Sequence, residues 1–140
     1  MINSKRKGNQ GERNWAKFLR EQGIDNNARR NVSSGSTFYK SDIHNSINYN
    51  FEVKCVKRLN LWNAIKQTVR DAEKSHTKPS VIIHLDGMRE DEWWVLIDAY
   101  NWADLIKRSK ESVIKEPDRE TSYIIKNLII WLKKLDKKLE

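Results

Sequence analysis

One acid and a Glu-x-Lys pair set the strongest constraint on this chain: Asp42, then ten residues later Glu52 and Lys54, within the run Phe51-Glu52-Val53-Lys54-Cys55. Tyr49, Phe51, Val53 and Cys55 alternate with Asn50, Glu52 and Lys54. That is the period of two of a half-buried strand, so Glu52 and Lys54 point the same way. Residues 41–47 are also extended in pattern, and the polar stretch Asn45-Ser46-Ile47-Asn48 suits a hairpin connection that brings Asp42 beside Glu52. Two carboxylates and an ammonium crowded onto one face of an inert sheet repel one another and desolvate badly. A hard divalent cation such as Mg²⁺, which takes oxygen ligands, removes that cost. The same Glu-x-Lys pair also suits an ordinary exposed ion pair on a strand.

The chemistry of the first reading is specific. At a cation held by Asp42 and Glu52 a phosphodiester oxygen is polarised and a bound water becomes more acidic, while Lys54 orients that water or stabilises the pentavalent charge. The pattern thus reads as a metal-dependent nuclease site.

Three further features favour it. Residues 9–23 carry Trp15, Phe18 and Leu19 at helical spacing and stop at Gly23. Glu12 falls at the margin of the inward face, within reach of the site, or else serves as the capping-box partner of an Asn9 N-cap. The net charge is +8, with Lys5-Arg6-Lys7, Arg29-Arg30 and Lys57-Arg58 around the acids, a balance that favours polyanions. Finally, Ser33-Ser34-Gly35-Ser36 follows Arg29 and Arg30 and lets backbone amides approach a phosphate that the arginines clamp. Ser34 and Ser36 are the favoured contacts, and an ordinary flexible loop is the alternative.

Elsewhere, Leu61, Trp62, Ile65, Val69 and Ala72 predict a second helix over 60–75 with these residues inward. Strands follow over 81–85 and 93–97, joined through Asp86-Gly87 and paired antiparallel. A third helix over 98–108 is expected to turn Trp102, Leu105 and Ile106 inward. The order is helix, three strands, helix, two strands, helix: an α/β fold with a mixed β-sheet flanked by helices. Residues 1–108 make the core, 109–120 a linker, and 121–140 a C-terminal amphipathic helix. Its apolar positions Ile125, Leu128, Leu132, Leu135 and Leu139 pack on the core or on a second copy. His44 and the ring residues Phe38 and Tyr39 lie near Asp42, with solvent or core positions as their alternatives to DNA contact. Gln67 is a candidate polar helper on the second helix, and a lone cysteine excludes a zinc knuckle. The polar start and the lack of a long apolar segment point to a cytoplasmic protein without a membrane partner.

Taken in order, Glu12, Arg29-Arg30 before Ser33-Ser34-Gly35-Ser36, Asp42 and Phe51-Glu52-Val53-Lys54 resemble the PD-(D/E)xK nucleases. Within them the nearest likeness is to the small archaeal-type and phage Holliday junction resolvases, over about residues 7–102. The resemblance implies a restriction-endonuclease-like fold in which Asp42, Glu52 and the Val53 carbonyl bind Mg²⁺, with Mn²⁺ as a substitute. It implies that Glu12 completes the metal environment, Lys54 assists catalysis and a loop serine contacts the scissile region. It further implies a homodimer that nicks two opposed strands of a four-way DNA junction. Ser41 stands where many members have the proline of the name. A restriction- or repair-type duplex endonuclease and a non-catalytic basic DNA-binding module are the alternatives.

Overall fold

In chain order the elements are α1 (Ser4–Glu21), β1 (Arg29–Arg30), β2 (Ile43–His44), β3 (Tyr49–Val56), α2 (Leu61–Ser75), β4 (Lys78–Leu85), β5 (Trp94–Leu96) and α3 (Ala99–Val113). This computed structural model describes residues 4–32, 40–113, 120 and 122–130. The anticipated order of helices and strands is present, but the strands divide into two sheets. β1 and β2 pair antiparallel, while β3, β4 and β5 form a mixed sheet in which β3–β4 is parallel and β4–β5 antiparallel. Met1–Trp102 and Ala103–Glu140 are separate compact units.

β3 is buried on both faces rather than one. Its odd-numbered residues Phe51 and Val53 join Trp15, Ala16 and Leu19 of α1 in the apolar core, together with Ile43 and Ile82. Trp15 stacks on Phe18 at 5.0 Å and meets Phe51 edge-on at 5.8 Å. Full burial of Leu19, Ile43 or Ile82 stabilises the fold by roughly 1.5–3 kcal/mol each, and each aromatic pair adds about 0.5–1.5 kcal/mol. Close approach of helix and strand is set by Gly11, where a Cβ would collide with the Cys55 sulfur.

α1 starts at Ser4, five residues before Asn9, which overturns the capping-box alternative for Asn9 and Glu12. Lys5, Arg6, Lys7 and Gln10 are good helix formers and carry the helix through Gly8. α2 is capped by the Asn60 side chain, which accepts from the Asn63 amide at 3.1 Å, and ends with His76 in the left-handed conformation.

The inward face of α2 differs from the apolar stripe. Ala64, Thr68, Asp71 and Ala72 are buried, whereas Leu61, Trp62 and Val69 are exposed. The reason is the polar even-numbered face of β3: the Thr68 hydroxyl donates to the Asn50 carbonyl at 3.3 Å and lies 3.4 Å from that of Ser80. Trp102, Leu105 and Ile106 are likewise exposed on α3 instead of inward. α3 runs through 109–113, where a linker was expected, and residues 122–130 are again helical. Ile125 and Leu128 of the apolar seam are exposed there. Leu132, Leu135 and Leu139 lie outside the described residues, as do Ser33, Ser34, Gly35, Ser36, Phe38 and Tyr39.

Candidate active site

Asp42 is fixed from both sides by its own backbone. Its carbonyl accepts from the Asn31 amide at 2.8 Å, and its N–H donates to the Phe51 carbonyl at 2.9 Å. The approach to β3 is therefore not a regular hairpin: β2 pairs with β1, and β3 is engaged through the backbone of Asp42 and the side chains of Ser41 and Asn45. Ser41 completes the junction. Fully buried, its hydroxyl accepts from the Phe51 amide at 2.9 Å and sits 3.4 Å from the Ile43 amide. A small hydroxyl here stands in for a backbone acceptor, a role not foreseen from the sequence, where Ser41 marked only a departure from the family's proline.

The Asp42 carboxyl then reaches along the strand edge, where Oδ2 accepts from the Val53 amide at 2.8 Å. Strand alternation puts the Val53 carbonyl on this same edge, away from β4. Glu52, 4% exposed, points to α2, as the period of two predicts. Its Oε1 pairs with Lys54 Nζ, and its Oε2 accepts from Gln67 Nε2 at 2.8 Å. Gln67 Oε1 is 3.5 Å from Lys54 Nζ, so the amide bridges the acid and the amine. Gln67 sits at the site because the inward face of α2 is the polar one, through Ala64, Thr68 and Asp71.

Glu12 lies near enough to Asp42 and Glu52 for its charge to act on both, and it is held by β1. Arg30 Nε pairs with Glu12 Oε2, and another guanidinium nitrogen donates to Asn9 Oδ1 at 2.7 Å. Arg30 thereby ties β1 to α1. Among the described residues no group of three or more His, Cys, Asp or Glu side chains is arranged to hold a metal. The basic residues Lys5, Arg6, Arg29, Lys57 and Arg58 are exposed, while Lys7 pairs with Asp86. His44 is exposed on β2.

The electrostatics are those of crowded acids. Burial, followed by the charge of Glu52, pushes the Asp42 carboxyl up to about 7, against the opposing hydrogen bond from Val53. Glu52 is also raised, chiefly by burial, with Lys54 opposing and the charges of Asp71 and Glu12 adding to the rise. Asp71 is buried on α2 and pairs with the exposed Arg70 at 3.3 Å. It was missed from the sequence, although its position four residues after Gln67 puts both on one helix face.

A hard divalent cation fits this donor set. Asp42 Oδ1 carries no hydrogen bond from the described residues, the Val53 carbonyl lies on the same edge, and Glu52 contributes a second buried carboxylate. All are oxygen donors of the kind Mg²⁺ takes, and a cation would offset the burial and the repulsion that raise both acids.

No protein-family model matches this chain, and no curated protein or solved structure is similar to it.

Proposed function

We propose that the chain is a Mg²⁺-dependent DNA endonuclease with a restriction-endonuclease-like core, centred on Asp42, Glu52, Lys54 and the Val53 carbonyl. One observation carries this reading. Asp42, locked between Asn31 and Phe51, reaches Val53 on the strand that also carries Glu52 and Lys54, which Gln67 of α2 bridges. An inert ion pair needs neither the second, half-buried acid nor its raised pKa.

In this reading Asp42, Glu52 and the Val53 carbonyl hold the cation, which when bound supplies Lewis-acid activation of water and of the phosphate. Lys54 is held by Glu52 and Gln67 at the edge of the cluster, where its ammonium can donate to a phosphate oxygen as charge develops. Gln67 keeps Lys54 and Glu52 in register and is a positioning residue. Glu12, held by Arg30, acts on the site through its charge. The exposed Arg29, Lys57, Arg58, Lys5 and Arg6 supply backbone affinity for DNA.

The substrate we propose is a four-way junction nicked symmetrically by a homodimer. This rests on the resemblance of Glu12, Asp42 and the Glu52–Lys54 strand to junction resolvases, and on the basic surface. One observation favours a second reading, a non-catalytic basic DNA-binding module: the Glu12 carboxylate is already paired with Arg30. Calorimetric Mg²⁺ titration of the parent and Asp42→Asn proteins separates the two. Saturable binding in the parent that is lost in Asp42→Asn supports the enzyme, and absence of binding in both supports the module.

A further inference from the structure

The face of α1 opposite Glu12 borders a cleft of about 870 Å³ against the β4–β5 connection. That is within the roughly 300–1,000 Å³ of small-ligand sites. Its floor is aromatic: Trp93 lies 5.0 Å from the His84 ring and 5.5 Å from Trp15. His84 Nε2 is hydrogen-bonded with the Arg89 carbonyl at 3.0 Å, so the ring pair is positioned in advance. Along the wall Gln10 Nε2 donates to Asn14 Oδ1 at 2.8 Å. The Asn14 amide hydrogens and the Gln10 carbonyl are left as a donor and an acceptor.

Charge gives the cleft a direction. Arg6 and Lys7 line one end. Beyond Trp93 a second cleft of about 590 Å³ shares Asn14, Glu90 and Trp93 and continues to Glu21 and Asp91, where Lys17 pairs with Glu21 and Arg89 with Asp91, and Glu90 leaves the balance acidic. A continuous run of phosphates meets repulsion at the acidic end. One nucleotide does not, provided its phosphate lies at the cationic end and its base on Trp93. Lys7 is paired with Asp86 at an exposed position, an ion pair that costs little to exchange for a phosphate. Glu90 suits the exocyclic amine of a base, since a carboxylate accepts from such a donor.

We infer that this cleft is a nucleotide subsite, holding one unstacked base against Trp93 with its phosphate at Arg6 and Lys7. The inference rests on the nuclease reading only for the origin of that nucleotide in a DNA strand. A base drawn out of a duplex or junction would anchor the strand on the side of α1 away from Asp42, and the aromatic platform would take any base with some preference for those bearing an amine.

The test titrates deoxycytidine 5′-monophosphate into the full chain in the presence of chelator, followed by calorimetry and tryptophan fluorescence. Saturable binding at least about tenfold tighter than that of deoxycytidine or inorganic phosphate is expected, because base and phosphate both contribute. Trp93→Leu should abolish the preference over phosphate. Since Trp93 also packs on Trp15, the exposed Arg6→Glu serves as the second variant and should reduce nucleotide affinity to that of the nucleoside. No saturation, equal binding of inorganic phosphate, or unchanged affinity in Arg6→Glu overturns the inference. Asp42→Asn, outside the cleft, should bind as the parent does. Nucleotide binding without any DNA cleavage keeps the cleft and removes the nuclease reading, and cleavage without nucleotide binding does the reverse.

Discussion

Asp42 Oδ2 accepts the backbone N–H of Val53 at 2.8 Å, which joins the first acid to the very strand that carries the second. The bond uses one carboxylate oxygen and orients the other along the strand edge. It also lowers the Asp42 pKa, yet burial and the neighbouring Glu52 outweigh it and leave the group near 7. A site so arranged holds negative charge at a cost that a cation relieves.

That cost has a measurable pH dependence. Asp42 keeps its proton in the folded state up to about 7, against an ordinary carboxylate value of 3.8 in the unfolded chain, and Glu52 is shifted the same way. The folded state therefore binds more protons across this window, and stability falls as pH rises from about 4 to about 7. The loss is a few kcal/mol by order of magnitude, at about 1.4 kcal/mol per pKa unit. Thermal denaturation in chelator should give a lower Tm at pH 7.5 than at pH 5, and Asp42→Asn should flatten that difference. A parent Tm that climbs through this range contradicts the raised acids.

Removing either acid should separate chemistry from affinity. Asp42→Asn and Glu52→Gln are expected to lower the cleavage rate by at least about 10²-fold, the scale of losing one key electrostatic group in a site. Binding of junction DNA, supplied by exposed cations, should remain close to the parent's in a gel-shift assay. Gln67→Ala should reduce cleavage less, and restoring the amide as Asn should not rescue it fully, because the shorter side chain cannot span Glu52 and Lys54.

Arg29 and Arg30 are adjacent but have different tasks. Arg30→Ala breaks the contacts to Glu12 and Asn9, which are about four-fifths buried at the ion pair, and should cost about 1–3 kcal/mol of stability. Arg29→Ala should leave stability unchanged and reduce the slope of log affinity against log salt by about 1. Urea denaturation and salt-dependent binding of both variants check this; interchange of the two phenotypes would show Arg30 to be the phosphate contact.

Gly11→Ala puts a Cβ into the Cys55 side chain, with Cys55 Cβ at 3.0 Å. Overpacking of this kind costs about 1–3 kcal/mol, more than the roughly 1 kcal/mol of helix propensity that alanine gains over glycine. Adding Cys55→Ala should restore much of the loss, since the colliding sulfur is removed. Equilibrium urea curves of the single and double variants decide it.

The parts of the fold legible in the sequence were those where one period dominated. The alternation from Tyr49 to Cys55 located β3 and put Glu52 and Lys54 together, and helical spacing of Trp15 and Leu19 located α1. α2 was legible as a helix but not in its orientation. Apolar periodicity selects Leu61, Trp62 and Val69, whereas the structure buries Asp71 as well as Thr68, which bonds to Asn50 and lies against Ser80. A hydrophobic pattern carries no information about a helix that docks through hydroxyls and amides. Asp42 was legible as a partner of Glu52, but its route was not: the short β1–β2 pairing and the Ser41 hydroxyl are tertiary contacts with no local signature. Glu12 was found as an unusual acid, while its partner Arg30 lies eighteen residues away and declares itself only in three dimensions.

The most direct test of a metal-dependent junction nuclease centred on Asp42 and Glu52 is cleavage of a labelled synthetic four-way junction, beside duplex and single-stranded controls of the same sequence, in Mg²⁺ and in chelator. Paired, symmetric, Mg²⁺-dependent nicks on the junction alone, absent in Asp42→Asn, are the predicted result. Binding of the junction with no cut in Mg²⁺ or Mn²⁺, or cutting that persists in Asp42→Asn, would contradict it.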